Sequence, residues 1–223
     1  MPRIIKTWRD PYDEGFSTCR RKEVTLNPGV TALVGYNGVG KSTMLHNIEA
    51  RLKTEKIPVF SYNNESESKI SIGDSLLNND VTLATTQMCS SEGENISINF
   101  GKIASKLMNF IKKGDDGDKL AKIFEEESKI NTNERRILLD AMDSGYSIDN
   151  VMEMKNFFNF VLEDAKKQGK TLYIVISSNE YELVDGMNYL DVMEGKHVTF
   201  ENYSDYKKII LHTKKKKNKR YKK

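Results

Sequence analysis

The plainest chemistry in the chain lies in one stretch, Gly35-Tyr36-Asn37-Gly38-Val39-Gly40-Lys41-Ser42-Thr43. It fits G-x-x-x-x-G-K-[ST], a loop whose main chain cradles phosphate. Each residue type has a reason to be there. Glycines let the backbone close around a polyphosphate. The helix that follows presents N–H groups and about half a positive charge at its N-terminus. Lys41 is expected to reach the β- and γ-phosphates, and the Ser42 hydroxyl to ligate Mg²⁺. Gly35, Asn37, Gly38, Gly40, Lys41, Ser42 and Thr43 form the predicted binding set. A dinucleotide loop is excluded, because no G-x-G-x-x-G register fits these glycines. Such a site also needs an acid at the end of a neighbouring buried strand to share the metal. Asp140, after Ile137-Leu138-Leu139, is the only acid that ends a strongly apolar strand.

The elements that must position these groups follow from hydrophobic period. Val30 to Val34 is a short apolar run of buried-strand type. Met44, Leu45, Ile48 and Leu52 then recur at helical spacing. Ile57 to Tyr62, Ile137 to Asp140 and Leu172 to Ile176 read as further strands, the last β-branched and fully apolar as inside a parallel sheet. Helices are predicted from the stripe Phe100, Ile103, Ala104, Leu107, Ile111, over Leu120 to Ile130, and from Met154, Phe157, Phe158, Val161, Ala165 with Gly169 at the C-terminal end. Ile4 to Trp8 and Val24 to Leu26 suggest an antiparallel N-terminal annex, whose Trp8, Tyr12 and Phe16 are candidates for base stacking or plain packing. Tyr189 to Met193 and His197 to Phe200 read as a hairpin around Glu194-Gly195. A short helix, Asp205 to Leu211, is expected before a low-complexity end. The alternation of strands and helices predicts an α/β fold with a mostly parallel central sheet.

Composition narrows the class. The chain has 223 residues, enough for one sizeable core, and 30% charged residues, as in a soluble globule. Cys19 and Cys89 provide neither a metal spacing nor a disulfide framework, and His46, His197 and His212 show no ligand spacing. A reduced, cytoplasmic setting is the expectation. The N-terminus lacks the apolar core of a signal peptide, and Leu172 to Ile176 is too short to span a bilayer. Lys214 to Lys223 holds eight Lys/Arg and no acid; removing those eight from the net +3 leaves −5 for residues 1–213. The basic end is a candidate arm for nucleic acid, acting by counterion release, or else a solvated, disordered tail.

Several motifs now stand together. Gly35-x-Asn37-Gly38-x-Gly40-Lys41-Ser42-Thr43 resembles the Walker A segment of ATP-binding cassette (ABC) ATPases. Leu138-Leu139-Asp140-Ala141-Met142-Asp143-Ser144-Gly145-Tyr146-Ser147 resembles their Walker B and D-loop. Ser90-Ser91-Glu92-Gly93-Glu94 is similar to their signature, closer to SMC-like, recombination-repair and OLD-like ATPases than to transporter subunits. Ile174-Val175-Ile176-Ser177-Ser178-Asn179 sits where that family has its switch strand. The resemblance covers residues 31–200 and implies a P-loop NTPase fold of the ABC type. It implies one ATPase domain over 1–212, with a helical/signature insertion at 63–130 and the basic tail at 213–223. It also implies a mechanism in which two copies meet head to tail around two ATP molecules. Lys41, Ser42 and Asp140 of one copy hold phosphate and Mg²⁺. Ser91, Gly93 and Glu94 of the other close the site from a helix N-terminus, where Ser91 and Glu94 also fit a capping box.

Two departures bear on turnover. Ala141 stands where the family has the glutamate that polarises the attacking water, a role typically worth 10²–10⁴-fold. Ser178 replaces the switch histidine. Hydrolysis is therefore expected to be slow, to run through Asp143 with Ser178, or to be absent. Gln87 and Asn63 are the candidates for sensing Mg²⁺. Only about fifty residues separate Lys41 from Ser91, and no long heptad run is present. The expected protein is thus a stand-alone ATP-binding head that dimerises with ATP and serves nucleic-acid, repair or defence processes. The alternatives are a transporter's ATPase subunit, or a nucleotide-gated interaction module with little hydrolysis and an unidentified protein partner.

Overall fold

The computed structural model describes residues 2–6, 23–64, 92–113 and 133–220. Its strands are β1 (Arg3–Lys6), β2 (Glu23–Leu26), β3 (Gly29–Val34), β4 (Val59–Asn63), β5 (Glu134–Asp140), β6 (Thr171–Ser177), β7 (Asn188–Asp191) and β8 (Lys196–Val198). Its helices are α1 (Lys41–Thr54), α2 (Glu92–Lys113), α3 (Ile148–Lys167), α4 (Tyr181–Val184) and α5 (Tyr203–Arg220). Six strands form one sheet in the order β4-β5-β6-β3-β7-β8. Every pairing in it is parallel except β7–β8. β1 and β2 pair antiparallel in a separate ribbon. The protein is therefore α/β with a mostly parallel sheet, an antiparallel N-terminal pair and a C-terminal hairpin, as the patterning predicts.

The central strands β3 and β6, and the second half of β5, are almost wholly apolar because both faces of the sheet are covered there. Successive side chains take opposite faces. Val30, Ala32, Val34, Ile137, Leu139, Leu172, Ile174 and Ile176 join the core built with α2, α3 and α4. Leu33, Leu138, Tyr173 and Val175 join the other core, built with α1 and the β1–β2 ribbon. The stripe Met154, Phe158, Val161, Ala165 is buried on α3, and Met44, Leu45, Ile48, Leu52 on α1. At about 1.5–3 kcal/mol for each fully buried large apolar side chain, these two faces are the principal driving force for the three-layer body. Among the described residues no helix is long and apolar enough to cross a membrane.

Two elements exceed what the sequence suggests. β5 begins at Glu134, three residues before the apolar run, because its two arginines find partners. Arg135 Nε donates to Ile111 O at 3.2 Å, and Arg136 pairs with Glu134 at 2.8 Å. Glu134 also takes Arg3 at 2.5 Å, tying the ribbon to the sheet. The larger difference is at the C-terminal end, where a helix over Asp205 to Leu211 is expected and α5 instead runs from Tyr203 to Arg220. Lysine is a good helix former, and nothing in this run breaks a helix. Tyr206 and Thr213 are buried, and Ile210 and Lys217 half-buried, on its inner face. The basic run through Arg220 is thus helix packed on the body, not a solvated coil. The helix expected over Leu120 to Ile130, the aromatic residues Trp8, Tyr12 and Phe16, and both cysteines lie outside the described residues.

Candidate functional site

The glycine loop joins β3 to α1. Gly35, Gly38 and Gly40 hold φ of +152°, +73° and +102°. At Gly35 an added Cβ would stand 2.7 Å from Val39 Cγ2, so this turn has no room for a side chain. Val39 N donates to Tyr36 O at 3.1 Å, and Met44 N to Gly40 O at 2.9 Å. The α1 ladder thus starts at Met44, leaving Lys41, Ser42 and Thr43 as first-turn residues whose N–H groups precede it. Ser42 and Thr43 are exposed, as are Asn37 and Gly38 at the crown of the loop. An exposed helix start of this kind favours an anion.

Lys41 turns back over the loop. Its Nζ donates to Gly35 O at 2.9 Å and to Asn179 Oδ1 at 2.8 Å. Burial holds its pKa below the ordinary lysine value, opposed by the Asp143 and Asp140 carboxylates. The fold therefore keeps a partly desolvated ammonium beside a helix N-terminus, within electrostatic reach of two acids. An incoming polyanion would offset the cost of that desolvation by favouring the charged form.

Parallel pairing brings the acids there. β5 and β4 are in register at Asn63 and Asp140, and Asn63 Nδ2 donates to Asp140 Oδ2 at 3.1 Å. Asp140 is buried, and its Oδ1 accepts a hydrogen bond from Ser177 Oγ at the end of β6. Ser177 Oγ in turn accepts from Ala141 N at 2.9 Å. One hydroxyl thus fixes both the carboxylate and the peptide that follows it. Ala141 itself has φ of +53°, in the left-handed region that costs a non-glycine residue energy. Both oxygens of Asp140 are oriented by neighbours, as suits a metal ligand held ready. Among the described residues no group of three or more His, Cys, Asp or Glu is gathered around a metal position. Asp140 with Ser42 would hold Mg²⁺ only with phosphate and water completing an octahedron, the usual habit of that ion.

The remaining expected groups are placed differently. Asp143 Oδ2 accepts from Asn179 N at 2.6 Å and from Glu180 N at 2.9 Å, so this carboxylate holds the loop after β6. Ser178 is buried, and its Oγ accepts from Glu180 N at 3.0 Å and lies 3.3 Å from Glu180 O. Asp143 and Ser178 therefore shape the turn that carries Asn179. Gly93 and Glu94 lie in the first turn of α2. Ser91 and Gln87 lie outside the described residues.

Four groups make contacts that no motif assigns. Ser177 and Asn179 stand in the switch-like run, but only strand pairing brings the end of β6 to Asp140 and Lys41. The other two come from α5: Thr213 Oγ1 accepts from Tyr36 N at 2.9 Å, and Lys217 Nζ donates to Asn37 O at 2.8 Å. The spacing Tyr206, Ile210, Thr213, Lys217 was the available signal, masked by the lysines around it. Beside the loop, a pocket of about 450 Å³ opens between Gly35 to Asn37, Asn179 to Glu182 and α5. Tyr206 closes its floor by donating to Asn179 O at 3.2 Å. Burial, then the carboxylates of Asp143 and Glu180, push the Tyr206 pKa up and keep it a donor.

No protein-family model and no curated protein sequence matches this chain.

Proposed function

We propose that this chain binds Mg-ATP at the glycine loop, as an ABC-type head that pairs head to tail with a second copy and turns ATP over slowly. One observation carries the reading: the Lys41 ammonium is held partly desolvated over the loop, beside the α1 N-terminus and in the field of Asp140 and Asp143. Phosphate takes the place of Gly35 O and Asn179 Oδ1 on that ammonium. Asp140 and Ser42 would hold Mg²⁺, which would supply positive charge against the phosphates. Ser91 and Gly93 of the second copy cover the γ-phosphate. Titration calorimetry with Mg-ATP, followed by size exclusion with and without it, tests this. We expect binding heat and a shift to dimer size. Absence of heat would leave an α/β body with an unexplained loop.

A switch-like role with little turnover is favoured over a hydrolase by two features. Ala141 has no proton-accepting side chain, and the nearby Asp143 already accepts two main-chain amides. ATP then acts chiefly as the adhesive of the dimer.

For the partner, the exposed outer face of α5 supports nucleic acid. Lys208, His212, Lys215 and Lys219 fall on it at helical spacing, and all are exposed. We expect the triple variant Lys208→Ala, Lys215→Ala, Lys219→Ala to lower duplex-DNA affinity and to reduce the slope of log K against log salt by about two to three. Fluorescence anisotropy at four salt concentrations measures it. An unchanged slope returns this face to a solubility role.

A further inference from the structure

α5 does more than cover the sheet; it grips the rim of the glycine loop. Thr213, fully buried, takes the Tyr36 N–H on its Oγ1 at 2.9 Å while donating to Ile210 O at 2.9 Å. One turn on, Lys217 Nζ donates to Asn37 O at 2.8 Å. Lys214 and Lys217 also lie over the Tyr36 ring, at 5.0 and 5.7 Å from its centroid. Between them, Lys216 pairs with Glu194 at 2.5 Å and pins the helix to the β7–β8 turn. Gly38 holds φ of +73°, which favours glycine whatever the space, and a Cβ there would meet only the end of the flexible Lys217 side chain. A rim N–H and a rim C=O of the loop, on adjacent residues, thus find partners on one helix far along the chain.

We propose that Thr213 and Lys217 are positioning residues for the nucleotide site: they fix the Tyr36–Gly38 peptides, so that the loop meets triphosphate already in its binding shape. The inference rests on the Mg-ATP reading above. A loop held in its bound conformation loses less freedom when ligand arrives, and that saving appears as affinity. The two lysines over Tyr36 add a positive field of the sign that attracts polyphosphate. Lys217 acts through the loop, since its ammonium sits on a main-chain carbonyl of the rim.

The test uses the full chain and Mg-ATP. Thr213→Val removes the hydroxyl at nearly constant volume, Thr213→Ser keeps it, and Lys217→Met keeps the stem without the charge. We expect Mg-ATP affinity to fall about tenfold in Thr213→Val and in Lys217→Met, and to hold within about twofold in Thr213→Ser. Amide exchange of residues 36–40 should quicken at least about tenfold in the two weakened variants, with β5 and β6 amides unchanged. A purely structural role predicts faster exchange everywhere and normal affinity of the folded protein, and that result overturns the proposal. So does tighter binding in Lys217→Met, which would make α5 an obstructing strap. Wild type that gives no heat with Mg-ATP sinks the nucleotide reading and this one with it. Wild-type binding left intact by both variants sinks the positioning role alone.

Discussion

Lys41→Met is expected to lower Mg-ATP affinity at least about a hundredfold while leaving the protein folded. The ammonium makes two hydrogen bonds over the loop, to Gly35 O and Asn179 Oδ1. On the proposed reading both neutral acceptors are exchanged for anionic phosphate oxygens, and truncating one partner of such a hydrogen-bonded charge pair costs about 2–5 kcal/mol. That corresponds to about two or more decades in the dissociation constant. The fold tolerates the change for the same reason the site works. Burial already disfavours the charged form of this lysine, so an uncharged chain of similar length relieves that cost. Calorimetry gives the affinity, and thermal unfolding confirms the fold. An unchanged dissociation constant in a folded variant would remove Lys41, and with it the proposed site, from consideration.

Ala141→Glu is expected to raise steady-state ATP turnover by about 10²-fold or more, the lower part of the range for a positioned general base. The position follows Asp140 directly, and its peptide is fixed by the Ser177 hydroxyl. A carboxylate added there starts from a main chain that is already held. The left-handed backbone at 141 treats Ala and Glu alike, so little extra strain is introduced. Asp143→Asn is the companion measurement. Its Oδ2 accepts two amides in the loop that carries Asn179, and an amide side chain still offers one acceptor oxygen. If Asp143 only shapes that loop, Asp143→Asn retains most of the small wild-type rate. If Asp143 is the base, that rate collapses and Ala141→Glu adds little. Phosphate release assays on the three proteins separate the outcomes.

The sheet was legible because burial on both faces writes itself as unbroken apolar runs. β3 and β6 show it, and the stripes on α1 and α3 show the helical equivalent. β5 was under-read because Arg135 and Arg136 break its run, although both find partners. α5 was under-read for the opposite reason. Its inner face ends in Thr213 and Lys217, which bury little apolar surface and carry no hydrophobic period. The candidate site divides along the same line. Glycine loop, Lys41 and Asp140 are local patterns, readable wherever they stand. The links through Ser177, Asn179 and Thr213 depend on which strand lies beside which, and composition cannot supply that.

The order of strands has a consequence for synthesis. β3 stands between β6 and β7, with Gly29 opposite Tyr173 and Val34 opposite Asp191. A ribosome releases β3 long before either neighbour exists, and the helix that steadies its loop comes later still. Contacts so distant along the chain must wait for loop closure, and they leave a sticky apolar segment waiting for partners. The nascent polypeptide therefore completes the corner around its glycine loop last, and a chaperone that shields residues 29–34 during elongation would act on the most vulnerable stretch.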